Sequence, residues 1–289
     1  MSRNRYPLRR LAAVLGLAVL AGCTGMNTTQ SGAIGVNRTQ YMSSMVPSQA
    51  LEQEANQQYA DILKQAQAKN LLDRDAQQVA RVRAISQRLI AQAGVFRPDA
   101  SGWKWEVHVL TSDEINAWCM PGGKIAVYTG LINKIKPSDD ELAAVLGHEI
   151  SHALREHARE RVSQQMATNL GLQVLSIATG SSAASDLGGQ LTSVMFTLPN
   201  SRTHETEADR MGVELAARAG FDPRAAVTLW QKMGAADSGN APPEILSTHP
   251  SAASRITDLQ AAAQQVLPLY EQSKGCLLYT SDAADDTPC

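Results

Sequence analysis

The chain has 289 residues, of which 44% are hydrophobic, 19% charged and 4% aromatic. This composition supplies enough apolar surface for one sizeable globular domain and excludes a disordered or collagen-like chain. Lysine and arginine together number 26 and aspartate and glutamate 28, which gives a formal net charge of -2. Because the charge is nearly balanced and no basic patch is evident, a nucleic acid is excluded as the main partner.

The N-terminus has the pattern of a bacterial lipoprotein signal. Four arginines precede an apolar run from Leu11 to Gly22, which is shorter than the roughly 20 residues that a membrane-spanning helix needs. Small residues before Cys23 resemble a lipobox, so residues 1–22 are predicted to be a signal peptide and Cys23 to carry lipid. An ordinary cleaved signal with an unmodified cysteine is the alternative. By resemblance to other Gram-negative lipoproteins, Thr24 favours the periplasmic side of the outer membrane.

Two further segments flank the region expected to fold as a domain. Residues 23–48 are rich in Gly, Ser, Thr, Asn and Gln and predict a flexible tether after the lipid. Residues 276–289 begin with CLLYTSDAAD, which resembles the translation of a transposon-based sequencing adapter. They are therefore predicted to be a non-native scar, with a natural polar tail as the alternative. Residues 49–266 form the predicted domain, and Cys119 is the one cysteine of the sequence within it.

Hydrophobic periodicity predicts a mainly helical α+β domain with a small β-sheet. The predicted helices span residues 49–72, 74–93, 138 to beyond 161, 201–220, 222–233 and 250 onwards, and the predicted strands span residues 103–110 and 125–129. A helix followed by a mobile loop is expected over residues 169–199. Ser138 and Glu141 have the spacing of a capping box at the start of the central helix.

That central helix carries the strongest chemical signal of the sequence. His148 and His152 belong to an H-E-x-x-H pattern and lie on one helix face, one turn apart. Two imidazoles at this spacing can bind one zinc ion, and Glu149 lies about 100° round the helix, where it can reach a metal-bound water. Two ordinary core histidines are the alternative. A catalytic zinc usually has three protein ligands and an open position, so a third ligand is expected elsewhere.

A pair of acidic residues on the next strongly patterned helix offers that ligand. Glu205 and Asp209 are four residues apart and share a face, whereas Glu207 points away at about 200°. We assign Glu205 as the third metal ligand and Asp209 as the carboxylate that orients a ligating histidine. Without the H-E-x-x-H pattern, this pair would be interpreted as a solvated helix face.

These motifs, together with Thr248-His249-Pro250, resemble those of the gluzincin zinc metallopeptidases of the CAAX prenyl protease type. The similarity is to their periplasmic lipoprotein branch, the BepA- and LoiP-like proteins, and residues 116–123 also resemble a strand segment of that family. The motif core covers about residues 70–260. The resemblance implies a zincin-type domain in which an edge strand of the small sheet, expected near residues 125–129, lines the active-site cleft.

The resemblance also implies an activity, a cofactor and partners. One Zn²⁺ per chain would activate water for peptide-bond hydrolysis, with Glu149 acting first as base and then as acid. The implied substrates are misfolded or stalled envelope proteins that bind as an added strand, and the outer-membrane assembly machinery is a further candidate partner. The competing hypothesis is a non-hydrolytic chaperone or assembly factor whose zinc site is plugged by His249.

Several residues near the motifs have alternative interpretations. His249 could stabilise an oxyanion, occupy the fourth metal position until a loop moves, or simply form a turn. Arg255 could support the oxyanion. Residues without ligand spacing are expected to have structural roles, namely His108, His157 and His204.

Overall fold

The structure of the protein is a computed structural model that describes residues 23–177, 187–236, 243–250 and 253–282. The predicted signal peptide, part of the loop predicted within residues 169–199, and residues 283–289 of the predicted scar lie outside the described residues. In the described part of the chain, no helix is both long and apolar enough to cross a bilayer.

The described residues form a mainly helical α+β domain with two small sheets, which confirms the predicted fold class. In chain order the elements are β1 (Cys23–Met26), β2 (Gln40–Ser43), α1 (Ser48–Ala68), α2 (Ala76–Ile90), β3 (Glu106–Leu110), β4 (Ala117–Met120), β5 (Lys124–Tyr128), α3 (Asp139–Leu154), α4 (His157–Ile177), α5 (Leu187–Phe196), α6 (Arg202–Arg218), α7 (Ala225–Ala236), α8 (Glu244–Thr248) and α9 (Ala253–Asp282). Short helical turns at Ala93–Val95, Pro98–Gly102 and Leu131–Ile135 connect them.

Helix α3 is the central element of the domain. It is buried continuously from Glu141 to Leu154, and helices α6, α7 and α2 and strand β4 pack around it. The Ser138 side chain accepts a hydrogen bond from the backbone N–H of Glu141, and the Glu141 carboxylate accepts one from the backbone N–H of Ser138. This reciprocal capping satisfies two donors at the helix start and confirms the predicted capping box.

Helices α3 and α6 are in backbone contact where they cross. A Cβ atom on Gly212 would lie 2.7 Å from the backbone nitrogen of His148, and one on Gly147 would lie 2.8 Å from the carbonyl oxygen of Gly212. Both distances are shorter than van der Waals contact, so a side chain at either position would force the two helices apart. The glycine pair therefore sets how close the acidic residues of α6 come to the H-E-x-x-H segment.

The three-stranded sheet corrects one expectation about the cleft. Its strand order is β3-β5-β4, with β5 parallel to β3 and antiparallel to β4. The segment expected to be an edge strand, residues 125–129, is therefore paired on both sides, and β4 is the edge strand on the cleft side. All four residues of β4 are buried, so its sequence lacks the alternation of apolar and polar residues that would predict a strand.

The sequence predicted that the central helix continues past residue 161. In the structure it ends at Leu154, and α4 begins at His157. The interruption is at Glu156, whose φ of 52° lies in the left-handed region that non-glycine residues rarely adopt. Its carboxylate pairs with Arg97 at 2.7 Å and with Arg159 at 2.8 Å. These ion pairs anchor the side chain and so stabilise the break.

Residues 23–48 are not the flexible tether that their polar composition predicted. Strands β1 and β2 pair with each other, and the segment between them buries Ile34 and Val36. The backbone N–H groups of Ala33 and Ile34 donate to the buried carboxylate of Glu214 on α6 at 2.9 and 2.8 Å. The polar composition did not indicate flexibility here, because backbone groups of this segment form hydrogen bonds with a buried side chain of the domain rather than with water.

Candidate metal centre and active-site cavity

Four buried side chains from separate parts of the chain converge on one point. His148 and His152 extend from α3, Glu205 from the first turn of α6, and His249 follows the last residue of α8. One ligand atom from each lies within 4.8 Å of the others, and none of the four residues is more than 9% exposed. The structure thus brings the three ligands predicted from sequence together and adds His249 to them.

The distances within this cluster fit a tetrahedral zinc ion. His148 Nε2 lies 3.1 Å from His152 Nε2 and 3.1 Å from His249 Nδ1. Glu205 Oε1 lies 3.4 Å from His152 Nε2 and 2.9 Å from His249 Nδ1. Ligand atoms about 2.0–2.1 Å from a tetrahedral zinc are about 3.3 Å apart, and imidazole with carboxylate is a donor set that zinc accepts. The residues present therefore fit zinc.

Asp209 and Arg255 hold the cluster from behind. His148 Nδ1 lies 2.9 Å from Asp209 Oδ1, in the contact predicted from sequence. Arg255 donates to both Asp209 oxygens at 2.8 and 2.7 Å, and its Nη1 lies 2.9 Å from Glu205 Oε2. Its guanidinium also lies 3.8 Å from the ring centroid of Trp230. All three nitrogens of Arg255 are engaged by carboxylates, so the structure shows it positioning Glu205 and Asp209; its expected role as an oxyanion donor stays a prediction.

Burial and charge give the ionisable groups of the site different proton affinities. Burial raises the pKa of Glu149 and lowers that of His152 well below its ordinary value. Burial alone would raise the pKa of Glu205, but the neighbouring His249 and His148 hold it well below its ordinary range. Burial also acts to lower the pKa of His249, yet Glu149 and Glu205 overcome this effect and raise it to about 9. Since metals bind neutral imidazole, a metal ion and a proton compete for His249.

A cavity opens beside these groups. Glu149, His152 and His249 line one side of it, and edge strand β4 lines another. Trp118 of β4 and Phe196 of α5 form an aromatic wall, with ring centroids 5.5 Å apart and the rings nearly perpendicular. Concave sites that combine apolar walls with a few polar groups are typical of ligand and substrate pockets.

The sequence did not predict a second buried ionic network, which lies behind His152. His157 Nδ1 lies 2.8 Å from His152 Nδ1, and His157 Nε2 lies 3.0 Å from Glu207 Oε2. Arg155 and Arg38 both donate to Glu207 Oε1, at 3.0 and 2.7 Å. Glu207 does point away from the metal-binding face, as predicted, but into this network rather than into solvent. The one sequence signal was the density of charged residues that follows H-E-x-x-H.

The same network includes a histidine stacked on His157. The rings of His157 and His204 are 4.4 Å apart and inclined by 19°, and His204 Nε2 lies 3.1 Å from Glu160 Oε2. Arg38 Nη1 donates to Glu160 Oε1 at 2.8 Å. Burial acts to raise the pKa of Glu207, but the His157 and Arg38 hydrogen bonds lower it to about 2. Burial also acts to raise the pKa of Glu160, but the hydrogen bonds from Arg38 and His204 hold it well below its ordinary value. Both carboxylates of the network are therefore ionised at neutral pH.

Two further residues, His108 and Cys119, lie outside the metal-binding cluster. His108 Nδ1 lies 2.7 Å from Asp73 Oδ2, in a pair between β3 and the loop before α2. Cys119 of β4 is a buried free cysteine, and burial raises the pKa of its thiol well above the ordinary value. A buried thiol that stays protonated is a poor nucleophile.

Comparison with known proteins adds to this geometry. The model of peptidase family M48 matches residues 76–263, a range that contains all four cluster residues. The chain is 39% identical over 189 residues to the mitochondrial metalloendopeptidase OMA1 of Arabidopsis thaliana, covering 65% of this chain and 38% of that protein.

Two further relatives have similar coverage. The metalloendopeptidase OMA1, mitochondrial, of Bos taurus is 37% identical over 212 residues, which cover 70% of this chain and 40% of that protein. The beta-barrel assembly-enhancing protease of Escherichia coli (strain K12) is 32% identical over 205 residues, covering 66% of this chain and 40% of that protein. The chain thus spans well under half the length of these three relatives.

Proposed function

The chain belongs to peptidase family M48, and from this premise we propose that it is a zinc-dependent metalloendopeptidase of the bacterial envelope, acting on misfolded or stalled proteins. One observation carries the proposal: a cluster of three histidines and one glutamate lies next to the buried carboxyl group of Glu149, at the edge of an open cavity. The names of the three relatives, all proteases, support the same reaction class.

The residues of the site divide the chemical work among them. His148, His152 and Glu205 would hold one zinc ion, which when bound supplies Lewis-acid stabilisation of negative charge and acidifies water. Glu149 takes the proton of the attacking water and returns it to the leaving amine. Glu149 Oε1 is buried and has no hydrogen-bond partner in the described part of the chain. Burial raises the pKa of Glu149 towards neutral pH, and a group that must both accept and donate a proton needs such a pKa.

The substrate would bind as an additional strand along β4. In the described residues β4 pairs with β5 on one side, and the cavity is lined by residues 116–119 and by the aromatic wall of Trp118 and Phe196. Backbone hydrogen bonds to an edge strand recognise any extended chain. This mode suits unfolded or misassembled substrates.

His249 would give the resting enzyme a fourth protein ligand. Its Nδ1 lies 2.9 Å from Glu205 Oε1 and 3.1 Å from His148 Nε2, within the spacing of the other ligand atoms. This position favours metal ligation over oxyanion stabilisation, because an oxyanion donor must leave room for the substrate oxygen. We propose that His249 leaves the cluster when substrate enters. A zinc site permanently plugged by His249 would instead produce the non-hydrolytic chaperone or assembly factor.

A lipid anchor at Cys23 would place the enzyme on the periplasmic side of the outer membrane. The support is the lipobox-like sequence, and the E. coli relative is named for the assembly of β-barrels. Because Cys23 begins β1, the lipid would be attached directly at the edge of the folded domain rather than through a long tether. The outer-membrane assembly machinery is the proposed partner at this location.

The test combines zinc content with cleavage of casein for the purified wild type and three variants. We expect one zinc per chain, and loss of cleavage by at least about 100-fold in Glu149→Gln with zinc retained. His249→Ala is expected to cleave faster than wild type if the histidine restrains the site. Glu244→Gln is the matched control, because Glu244 lines the same cavity but is exposed, and its cleavage should stay within about twofold of wild type.

Other outcomes decide against the proposal. Zinc-loaded protein that cleaves nothing, even as His249→Ala, would contradict the proposed peptidase activity and favour the chaperone alternative. Wild-type protein without zinc would remove the assignment of His148, His152 and Glu205 as ligands.

A further inference from the structure

We infer that His157 is a positioning residue for the metal ligand His152, and that it acts by relaying that ligand's hydrogen bond to the buried carboxylate of Glu207. The inference rests on the proposed function only in that His152 must bind the metal. It assigns a role to a histidine that lacks ligand spacing in the sequence and that the proposed chemistry does not use.

The directions of the hydrogen bonds follow from the geometry. His152 Nε2 faces the other ligands, 3.1 Å from His148 Nε2, so a neutral metal-bound His152 carries its proton on Nδ1. That Nδ1 lies 2.8 Å from His157 Nδ1, which must therefore accept. The proton of His157 is then on Nε2, which donates to Glu207 Oε2 at 3.0 Å. The chain of donors runs in one direction, from the metal ligand to the carboxylate.

The carboxylate end of this relay is held in place by two arginines. Arg155 is 0% exposed, and its Nη2 donates to Glu207 Oε1 and to the carbonyl oxygen of Arg38 at 3.0 Å each. Arg38 Nε donates to the same Glu207 oxygen at 2.7 Å. An ionised carboxylate in a fixed orientation is the strongest acceptor a neutral imidazole can have, so Glu207 fixes the tautomer of His157.

The break between α3 and α4 makes the contact possible. In an uninterrupted helix, residues five apart are separated by about 140° round the axis, so His157 would not face His152. The left-handed conformation of Glu156, with φ of 52°, ends α3 and brings the ring of His157 to a centroid distance of 4.8 Å from that of His152. The strained residue is thus explained by the position it gives to its neighbour.

His204 supplies a control of nearly matched environment. Like His157 it is almost fully buried and bonded through Nε2 to a carboxylate, that of Glu160, and the two rings stack. Its described contacts reach His157 and Glu160 but not His152. A purely structural role for these histidines would make the two substitutions equivalent, whereas a positioning role would not.

The experiment measures zinc affinity by competition with a chromophoric chelator, on the whole protein and three variants. His157→Phe keeps a ring but loses the acceptor, and we expect zinc to bind about 10- to 100-fold more weakly. His157→Asn restores an acceptor near the Nδ1 position and should recover part of this loss. His204→Phe should bind zinc within about twofold of wild type. The visible spectrum of the cobalt-substituted protein should change in His157→Phe and not in His204→Phe.

A measurement on the unmutated protein covers the case in which His157→Phe does not fold. Nitrogen-15 NMR of the zinc-loaded wild type should show His152 protonated on Nδ1 and His157 on Nε2. A proton on His157 Nδ1 would overturn the inference, as would wild-type zinc affinity in a folded His157→Phe, or equal weakening in His204→Phe. Wild-type protein that binds no zinc would overturn the proposed function and this inference with it. The preceding outcomes overturn the inference alone, so the two failures are distinguishable.

Discussion

The two histidines of the H-E-x-x-H helix are supported in different ways. Behind His148, Asp209 makes direct contact at 2.9 Å and is held in turn by Arg255. Behind His152, the imidazole of His157 intervenes before a carboxylate is reached, at Glu207. We call the first set of residues the direct support and the second, with its two arginines, the relayed support.

The difference shows how one helix can orient two ligands that lie on the same face. Helix α6 supplies the carboxylate of both supports, and Glu207 and Asp209 sit two residues apart on different faces of it. The direct support is completed by Arg255 of α9, whereas the relayed support is completed by Arg155 and by Arg38 of the N-terminal segment. The N-terminal segment is therefore part of the framework that surrounds the metal centre.

The largest effect is expected from breaking the direct support. Asp209→Asn keeps the size of the side chain but removes the charge that both His148 and Arg255 contact, so zinc affinity should fall by about 10- to 100-fold. Chelator competition measures this change. Asp258→Asn, an exposed carboxylate on the same helix as Arg255, serves as the control and should bind zinc like wild type. Unchanged affinity in Asp209→Asn would show that the direct support does not orient the ligand.

An intermediate effect is expected where both supports share helix α6. Gly212→Ala would place a Cβ atom 2.7 Å from the backbone nitrogen of His148, so the free energy of unfolding should fall by about 1–3 kcal/mol. Urea unfolding of the metal-free protein provides the measurement. Gly234→Ala, in α7 with open space around the new methyl group, should be neutral or slightly stabilising. Equal stability of the two variants would mean that the helices can separate without cost.

The smallest effect is expected at the outer end of the relayed support. Arg38 is 31% exposed, and Arg38→Ala should lower the free energy of unfolding at neutral pH by about 1 kcal/mol, since Arg155 still holds Glu207. Arg81→Ala is the control, because Arg81 is equally exposed at 30% but pairs with Asp139, which is 64% exposed. Arg81→Ala should lower the free energy of unfolding by less than Arg38→Ala does.

The same variant gives a dependence on pH with a definite sign. The pKa of Glu207 is depressed from 4.5 to about 2 in the folded state, so the stabilisation that this carboxylate contributes is complete above about pH 4.5. It is lost as the pH falls through about 2. The difference in unfolding free energy between wild type and Arg38→Ala should therefore shrink below about pH 4.5. A difference that stayed constant down to about pH 2 would contradict the ion pair.

The metal centre could be read from the sequence to the extent that it depends on helix periodicity. The spacing of His148 and His152, and that of Glu205 and Asp209, places each pair on one face of a helix, and the structure brings the two faces together. For His249, the sequence contains the motif but does not determine how far this residue lies from the metal ligands. The contact between His157 and His152 could not be predicted from the sequence, because no helical spacing relates the two residues.

The sequence by itself determined the local features: the helical α+β class, the capped central helix and the faces on which the metal-binding side chains lie. Each depends on residues within a few positions of one another, where the 3.6-residue period and the capping rules apply. Tertiary structure decided which strand forms the edge of the sheet, that residues 23–48 are folded, and that His157 meets His152. These features depend on strand pairing, on buried ion pairs between distant segments and on one left-handed residue, and no local periodicity encodes any of the three.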